Sequence, residues 1–251
     1  MDAKSIFLNH LAQTSPFPLA LEVDYAKGSY IIDKTGKRYL DLISGIAVSN
    51  IGHGHPDIIN AVKNQAEKYM HVMAYGEFVQ SPQNDLAIAL ARLLPPTLNS
   101  SYFVNSGAEA NEGALKLAKR ITGRTELVAF RRSYHGSTHG ALSVSGNEVK
   151  KNAFRPLLPD VRFITFNELN DLALITEKTA AVIIEPVQGD AGVRIPTQHY
   201  LQQLRARCTA VGAQLIFDEI QTGFGRTGKL FAFEHFDVTP DILTIAKAFG
   251  G

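Results

Sequence analysis

Apolar runs of strand length alternate with longer amphipathic stretches along most of the chain. This alternation predicts parallel strands joined by crossover helices. Five runs read as strands: Tyr102-Phe103-Val104, Leu127-Val128-Ala129-Phe130, Phe163-Ile164-Thr165-Phe166, Ala181-Val182-Ile183-Ile184 and Gln214-Leu215-Ile216-Phe217, with residues 241–244 a candidate sixth. Their β-branched and aromatic content fits burial on both faces of a sheet. Helices are expected at about residues 56–70, 81–94, 108–121 and 198–211, each with apolar positions three and four apart. The fold class read from this pattern is α/β, a three-layer sandwich around a mostly parallel sheet.

The N-terminal segment is patterned differently. Residues 28–41, Gly-Ser-Tyr-Ile-Ile-Asp-Lys-Thr-Gly-Lys-Arg-Tyr-Leu-Asp, alternate and turn like an antiparallel hairpin and are assigned to part of a smaller α+β lobe. The division expected is residues 1–70 for this lobe and its connecting segment and 71–251 for the large domain. Without a Gly/Ser-rich linker or repeat, a boundary near residues 50–75 is one of packing rather than a flexible hinge.

Composition narrows the function classes. With 251 residues, 45% hydrophobic, 20% charged and a net charge of +1, the chain can build one sizeable core and offers no basic face for nucleic acid. No apolar stretch approaches the roughly 20 residues a membrane helix needs, and Met1-Asp2-Ala3-Lys4 lacks the order of a signal peptide, so a cytoplasmic location without membrane attachment is the expectation. The one cysteine, Cys208, falls in a helical stretch and reads as a small buried apolar side chain.

Three places carry candidate chemistry. Lys247 lies in Thr244-Ile245-Ala246-Lys247-Ala248-Phe249-Gly250-Gly251, after an apolar run and 29 residues beyond Asp218. Most lysines are solvated surface charges, but an ammonium among Ala, Ile and Phe loses solvation, so its pKa falls and its amine becomes a nucleophile toward a carbonyl. Asn105-Ser106-Gly107-Ala108 follows the first predicted strand and opens a helix, where amides and the positive helix end meet an anion; a plain N-cap by Ser106 or Asn105 is the competing reading. Asp218 falls at the C-terminal end of a strand, where open α/β sheets place ligands. His53, His55 and His139 lack the companions of a metal site, and Gly52-His53-Gly54-His55-Pro56 reads as a loop ending in Pro at the first helical position; no metal is assigned. A dinucleotide site is disfavoured because no Gly-x-Gly-x-x-Gly follows the first strand.

Taken together, Asp218-Glu219-Ile220-Gln221-Thr222-Gly223-Phe224-Gly225-Arg226-Thr227-Gly228, Pro240-Asp241-Ile242-Leu243, Ala246-Lys247 and Gly250-Gly251 resemble the signature of class III aminotransferases that use pyridoxal 5'-phosphate. Asn105 to Glu112 and Tyr134-His135-Gly136 agree with it. Residues 41–48 followed by 52–56 look most like the acetylornithine and ornithine aminotransferase branch, and the resemblance covers essentially the whole chain. It implies the large domain of fold type I enzymes, with Lys247 as the Schiff-base lysine and Asp218 pairing with the pyridinium nitrogen. It further implies Gln221 donating to the ring's phenolic oxygen, Tyr134 stacking on the ring, and Ser106, Gly107 and Ala108 at the phosphate; His135 receives an orienting place at most.

The implied reaction moves an amino group from a small-molecule amino donor to a 2-oxo acid such as 2-oxoglutarate, with ping-pong kinetics. A homodimer is expected from the same resemblance, and Tyr69, Met70, Met73 and Tyr75 form an apolar, aromatic stretch that could line a subunit contact or a core. Two positions depart from the branch and bear on substrate binding. Ser137 stands where Arg follows the His-Gly pair, and Asp190 stands where a Glu gates the substrate-gripping arginine; a serine cannot make the bidentate contact of a guanidinium. Acetylornithine or ornithine and another ω-amino acid or amine therefore all stay open as donors. Family members continue well beyond the lysine, so the sequence is expected to be the N-terminal portion of an enzyme, without the arginine that grips the α-carboxylate. A mutase or racemase of the same fold, and an inactive fragment or scaffold, are the alternatives; joint retention of Lys247, Asp218 and Gln221 argues against the scaffold.

Overall fold

The computed structural model describes residues 2–73 and 76–250, which divide into two compact units, residues 2–72 and residues 73–250. The first unit begins with helix α1 (Ala3–His10), capped by the Asp2 carboxylate. Strands β1 (Val23–Lys27), β2 (Tyr30–Asp33) and β3 (Arg38–Leu40) form an antiparallel sheet in that order. The hairpin expected at residues 28–41 is therefore the second half of a three-stranded sheet. β1 escapes the pattern because four of its five side chains are exposed, leaving no buried face to read. An irregular turn, α2 (Ser44–Ala47), leads to α3 (Pro56–Lys68), where Pro56 takes the first turn and His55 caps the end, as its loop reading required.

The second unit holds the core. Its elements are α4 (Ser81–Leu93), α5 (Gly107–Thr122), β4 (Glu126–Phe130), α6 (His139–Val144), the single turn α7 (Glu148–Lys151), β5 (Val161–Ile164), β6 (Thr179–Ile184), α8 (Gln198–Val211), β7 (Gln214–Asp218) and β8 (Ile242–Thr244). The five strands form one parallel sheet in the order β5-β4-β6-β7-β8.

Successive residues of these strands point to opposite faces, and each face has its own helix. Val128, Phe130, Val182, Ile184, Leu215 and Phe217 pack with Tyr200, Leu201, Leu204 and Cys208 of α8. Leu127, Ala129, Ala181, Ile183 and Ile216 pack with Ala114, Leu115 and Ala118 of α5. The three layers expected from the alternating pattern are thus present, and Cys208 is buried in α8 as a small apolar side chain.

Two strand expectations need correction. Residues 102–104 lie outside regular secondary structure. A three-residue apolar run is too short for propensity to fix a strand, and the helix cap claims the backbone just beyond it: the Asn105 amide donates to the Glu109 carboxylate at 2.6 Å. The run at 163–166 begins and ends two residues earlier as β5, because the Thr165 amide leaves the ladder to donate to Asp171 Oδ2 at 2.7 Å. Of the apolar stretch considered for a subunit contact, Met70 is 89% exposed and Met73 39%, Tyr69 is half-buried, and Tyr75 lies outside the described residues.

Truncation of a side chain in the interior should separate core from surface leucines. Leu204→Ala, with no exposure in the wild type, is expected to lower the unfolding free energy by about 2–5 kcal/mol. Leu117→Ala, at a position 47% exposed, should change it by about 0.5 kcal/mol or less. Urea denaturation followed by circular dichroism measures both, and equal losses would contradict this account of the core.

Candidate active site

The site assembles at the C-terminal ends of β6, β7 and β8, where a parallel sheet leaves carbonyl ends and loops to build on. Asp218 is the last residue of β7 and pairs in register with Thr244, the last residue of β8. The Glu219 amide donates to the Thr244 carbonyl at 2.9 Å and extends that ladder. Lys247 follows three residues later in a turn at Lys247–Gly250, with a left-handed φ of 51°. Register therefore brings the acid and the lysine to one end of the sheet.

Asp218 is only 4% exposed, and a buried carboxylate must be hydrogen-bonded. Its Oδ2 accepts from Asn111 Nδ2 at 2.8 Å and lies 2.7 Å from His135 Nδ1, while Oδ1 accepts from the Ile220 amide at 3.1 Å. Asn111, fully buried on α5, also donates to the His135 carbonyl at 2.7 Å and accepts from the Thr244 hydroxyl at 2.8 Å. One amide side chain thus joins α5, the 134–136 segment, β7 and β8. Asn111 stands within its motif in the sequence without a role, because its partners lie 24 to 133 residues away.

Three motifs meet by close packing as well as by hydrogen bonds. A Cβ on Gly107 would come within 2.8 Å of the Ile220 side chain, so the first turn of α5 lies against the loop after Asp218. Gly136, at φ 131°, sits where a Cβ would meet Ala108 Cβ at 2.7 Å. At the start of α5, Ser106 accepts from the Glu109 amide at 3.1 Å and serves as the N-cap. Gly107 and Ala108 occupy the first turn, whose amides a helix leaves without intrahelical partners. Gln221 lies with its Oε1 against Gly189.

Two more buried carboxylates were not singled out as site residues. Glu185, 6% exposed at the end of β6, accepts from the Tyr134 amide at 3.1 Å. Burial pushes it up to about 7, with the Asp218 charge adding to the rise and His135 opposing it. Glu219, fully buried, accepts from the amides of Ala232 and Phe233 at 2.7 and 2.8 Å and from the Thr222 hydroxyl, so it closes the 219–233 loop rather than facing a ligand; burial lifts it too, to about 7.

Burial lowers the pKa of Lys247, the direction expected from its apolar neighbours, while Asp218, Glu185 and Asp190 pull the other way. Tyr134 is half-buried, with its hydroxyl 3.2 Å from Ser137 Oγ. Asp190 accepts from Lys150 Nζ at 2.6 and 2.8 Å. His53 pairs with Asp41 at 2.7 Å in the first unit, and the described residues contain no cluster able to hold a metal ion. A hollow of about 280 Å³ lined by Gly28, Asp41, Asn50 and His53 lies in that unit, and another lies between Leu169 and Ala210; Lys247 lines neither of these two.

A family model for class-III aminotransferases matches residues 12–251. The chain belongs to the class III aminotransferase family. Class III aminotransferases are pyridoxal-phosphate dependent, and the relatives agree with the membership. The chain is 43% identical over 253 residues to an acetylornithine aminotransferase of Methanopyrus kandleri, covering 100% of this chain and 64% of that protein. It is 42% identical to a [LysW]-aminoadipate semialdehyde/glutamate semialdehyde transaminase of Sulfolobus acidocaldarius, covering 92% and 59%. Among solved structures, a taurine:2-oxoglutarate aminotransferase from Bifidobacterium kashiwanohense, in complex with PLP and glutamate, superposes with a TM-score of 0.87 at 33% identity over 97% of this chain and 60% of that one. A transaminase from Virgibacillus gives a TM-score of 0.90 at 30% identity, covering 97% and 60%. The large unit thus has the fold type I architecture, and the chain spans 59 to 64% of the length of the two curated relatives.

The raised Glu185 gives a pH test. A carboxyl whose folded pKa exceeds its ordinary 4.5 contributes stability that is fully present below about 4.5 and lost as pH rises toward about 7. Glu185→Gln keeps an acceptor for the Tyr134 amide and removes the titration. It should flatten the fall in unfolding free energy across that window, by on the order of 3 kcal/mol at about 1.4 kcal/mol per unit. Thermal or urea unfolding at several pH values reads the slope, and an unchanged slope would reject the assignment.

Proposed function

We propose that this chain carries the cofactor-binding half-site of a pyridoxal-phosphate-dependent transaminase, which moves an amino group from an amino acid or amine donor to a 2-oxo acid such as 2-oxoglutarate. The observation that carries this reading is the register of β7 and β8, which brings a half-buried Lys247, its pKa lowered by desolvation, to the same end of the sheet as the buried Asp218 carboxylate whose charge acts on it. The residues present fit the cofactor: a carboxylate at a strand end for a ring nitrogen, the first turn of α5 at Ser106, Gly107 and Ala108 for a phosphate, Tyr134 for the ring face and Gln221 for a ring oxygen. When bound, pyridoxal phosphate supplies an aldehyde carbon that captures amines and a ring that withdraws electrons from the adjoining carbon.

The chain's own residues do the rest. Desolvation enlarges the neutral fraction of Lys247 Nζ, which would make it a nucleophile toward a bound aldehyde and, when not so engaged, a base able to take the proton from the donor carbon and deliver it to the carbon that receives the amino group. Asp218 is hydrogen-bonded on both oxygens, and a carboxylate so held would favour a protonated partner facing it. Asn111 and His135 orient that carboxylate; His135, with Nδ1 on Asp218, is a positioning residue in this scheme. Acetylornithine or ornithine lead as donors, supported by the 43% identity to an acetylornithine aminotransferase, with other ω-amino acids close behind because of Ser137 and Asp190. A homodimer in the cytoplasm is part of the same proposal, by the resemblance of the whole chain to its family.

Addition of pyridoxal phosphate followed by borohydride reduction should leave a stable adduct on the peptide containing Lys247, located by mass spectrometry. Lys247→Ala in the full-length protein is expected to lose that adduct and about 100- to 10,000-fold of turnover with an amino donor and 2-oxoglutarate. Substantial transaminase activity in Lys247→Ala would overturn the proposal.

A further inference from the structure

Lys150, on the turn α7, has no place in the reading above, yet it converges on it. Its Nζ lies 2.6 and 2.8 Å from the two Asp190 oxygens and 4.6 Å from the centroid of the Tyr134 ring. The Tyr134 hydroxyl lies 3.2 Å from Ser137 Oγ. Through Asp190 the group reaches the reacting amine, since the Asp190 charge acts on Lys247. A cation over the face of a tyrosine whose hydroxyl meets a serine hydroxyl presents the charge and hydrogen-bond donors that a carboxylate requires.

The pairing with Asp190 is weak enough to exchange. The Lys150 and Asp190 side chains are 41% and 34% exposed, and an ion pair open to water contributes little. Asp190 occupies two of the ammonium's hydrogens, and an incoming carboxylate offers the same two oxygens. Ser137 lacks the guanidinium that would hold a carboxylate bidentately, and the Lys150 ammonium over the Tyr134 ring is a cation able to take on part of that task.

We propose that Lys150 recognises a carboxylate of the substrate, with Asp190 as its displaceable internal counter-ion and the Ser137 and Tyr134 hydroxyls completing the site. The proposal rests on the reading of Lys247 as the reacting amine. It makes Lys150 a specificity-determining residue: donors or acceptors with a carboxylate at this edge gain from it, and uncharged amines do not.

The test uses the full-length protein loaded with pyridoxal phosphate and glutarate as an unreactive carboxylate probe, titrated calorimetrically in a phosphate-free buffer. Lys150→Met should weaken glutarate about tenfold or more, the loss of one charge-assisted hydrogen-bonding partner. Lys150→Arg should restore most of the affinity, Asp190→Asn should tighten it several-fold, about the release of one competing exposed charge, and Lys178→Met, an exposed lysine elsewhere, should match the wild type. In turnover, Lys150→Met should raise KM for a carboxylated donor and leave KM for a neutral alkylamine in place. Equal glutarate affinity in Lys150→Met and Lys178→Met, or weaker binding in Asp190→Asn, would overturn the proposal; if Lys150→Met unfolds, the Asp190→Asn result decides alone. Borohydride trapping at Lys247 on the same samples separates the two readings: an adduct without any effect at Lys150 rejects only the carboxylate site, whereas no adduct in the wild type rejects the reading of Lys247 on which it rests.

Discussion

The carboxylate of Asp218 is buried at the end of β7, and the need to satisfy it there organises the rest of the site. A buried charge without partners is costly, so the surrounding chain supplies Asn111, His135 and the Ile220 amide. Each partner belongs to a different stretch of sequence. Asn111 in turn takes the Thr244 hydroxyl and the His135 carbonyl, so the position of β8, and hence of Lys247, is coupled to the same hydrogen-bonded cluster. Removing one member would leave the others short of partners in a dry environment, where a half-satisfied network is unfavourable.

Around that centre the buried carboxylates divide into distinct tasks. Asp218 gathers Asn111, His135 and the Ile220 amide. Glu219, the next residue, points the other way and holds the amides of Ala232 and Phe233, closing the loop that carries Gln221. Glu185 holds the Tyr134 amide and thereby the aromatic ring above which Lys150 sits. Adjacent residues on an extended chain point to opposite sides, which is how Asp218 and Glu219 can be neighbours in sequence and bond to separate sets of partners, the Asn111–His135 pair and the loop at 232–233.

Much of this was legible beforehand, for identifiable reasons. β4, β6 and β7 are apolar on both faces, and a buried parallel strand cannot be otherwise. The helix at 198–211 was placed without error because its apolar spacing is regular and Thr197 marks its start. Lys247, Asp218, Ser106 and Tyr134 were flagged because a family signature concentrates on them. What escaped were β1, whose side chains are mostly exposed, the non-strand at 102–104, and Asn111, Glu185 and Lys150, which act through partners more than twenty residues away in sequence.

The sequence by itself determined the layered α/β plan, the two patterns of periodicity, the family and the residue types of its chemistry, because these depend on local spacing and composition. Tertiary structure alone decided which of those groups meet. The register of β7 against β8 sets Asp218 level with Thr244, the packing of Gly107 on Ile220 and of Gly136 on Ala108 draws three motifs together, and the fold brings Lys150 onto Asp190 across forty residues of chain. Those distances arise from strand pairing and close packing between segments remote in sequence, and no periodicity within a segment encodes them.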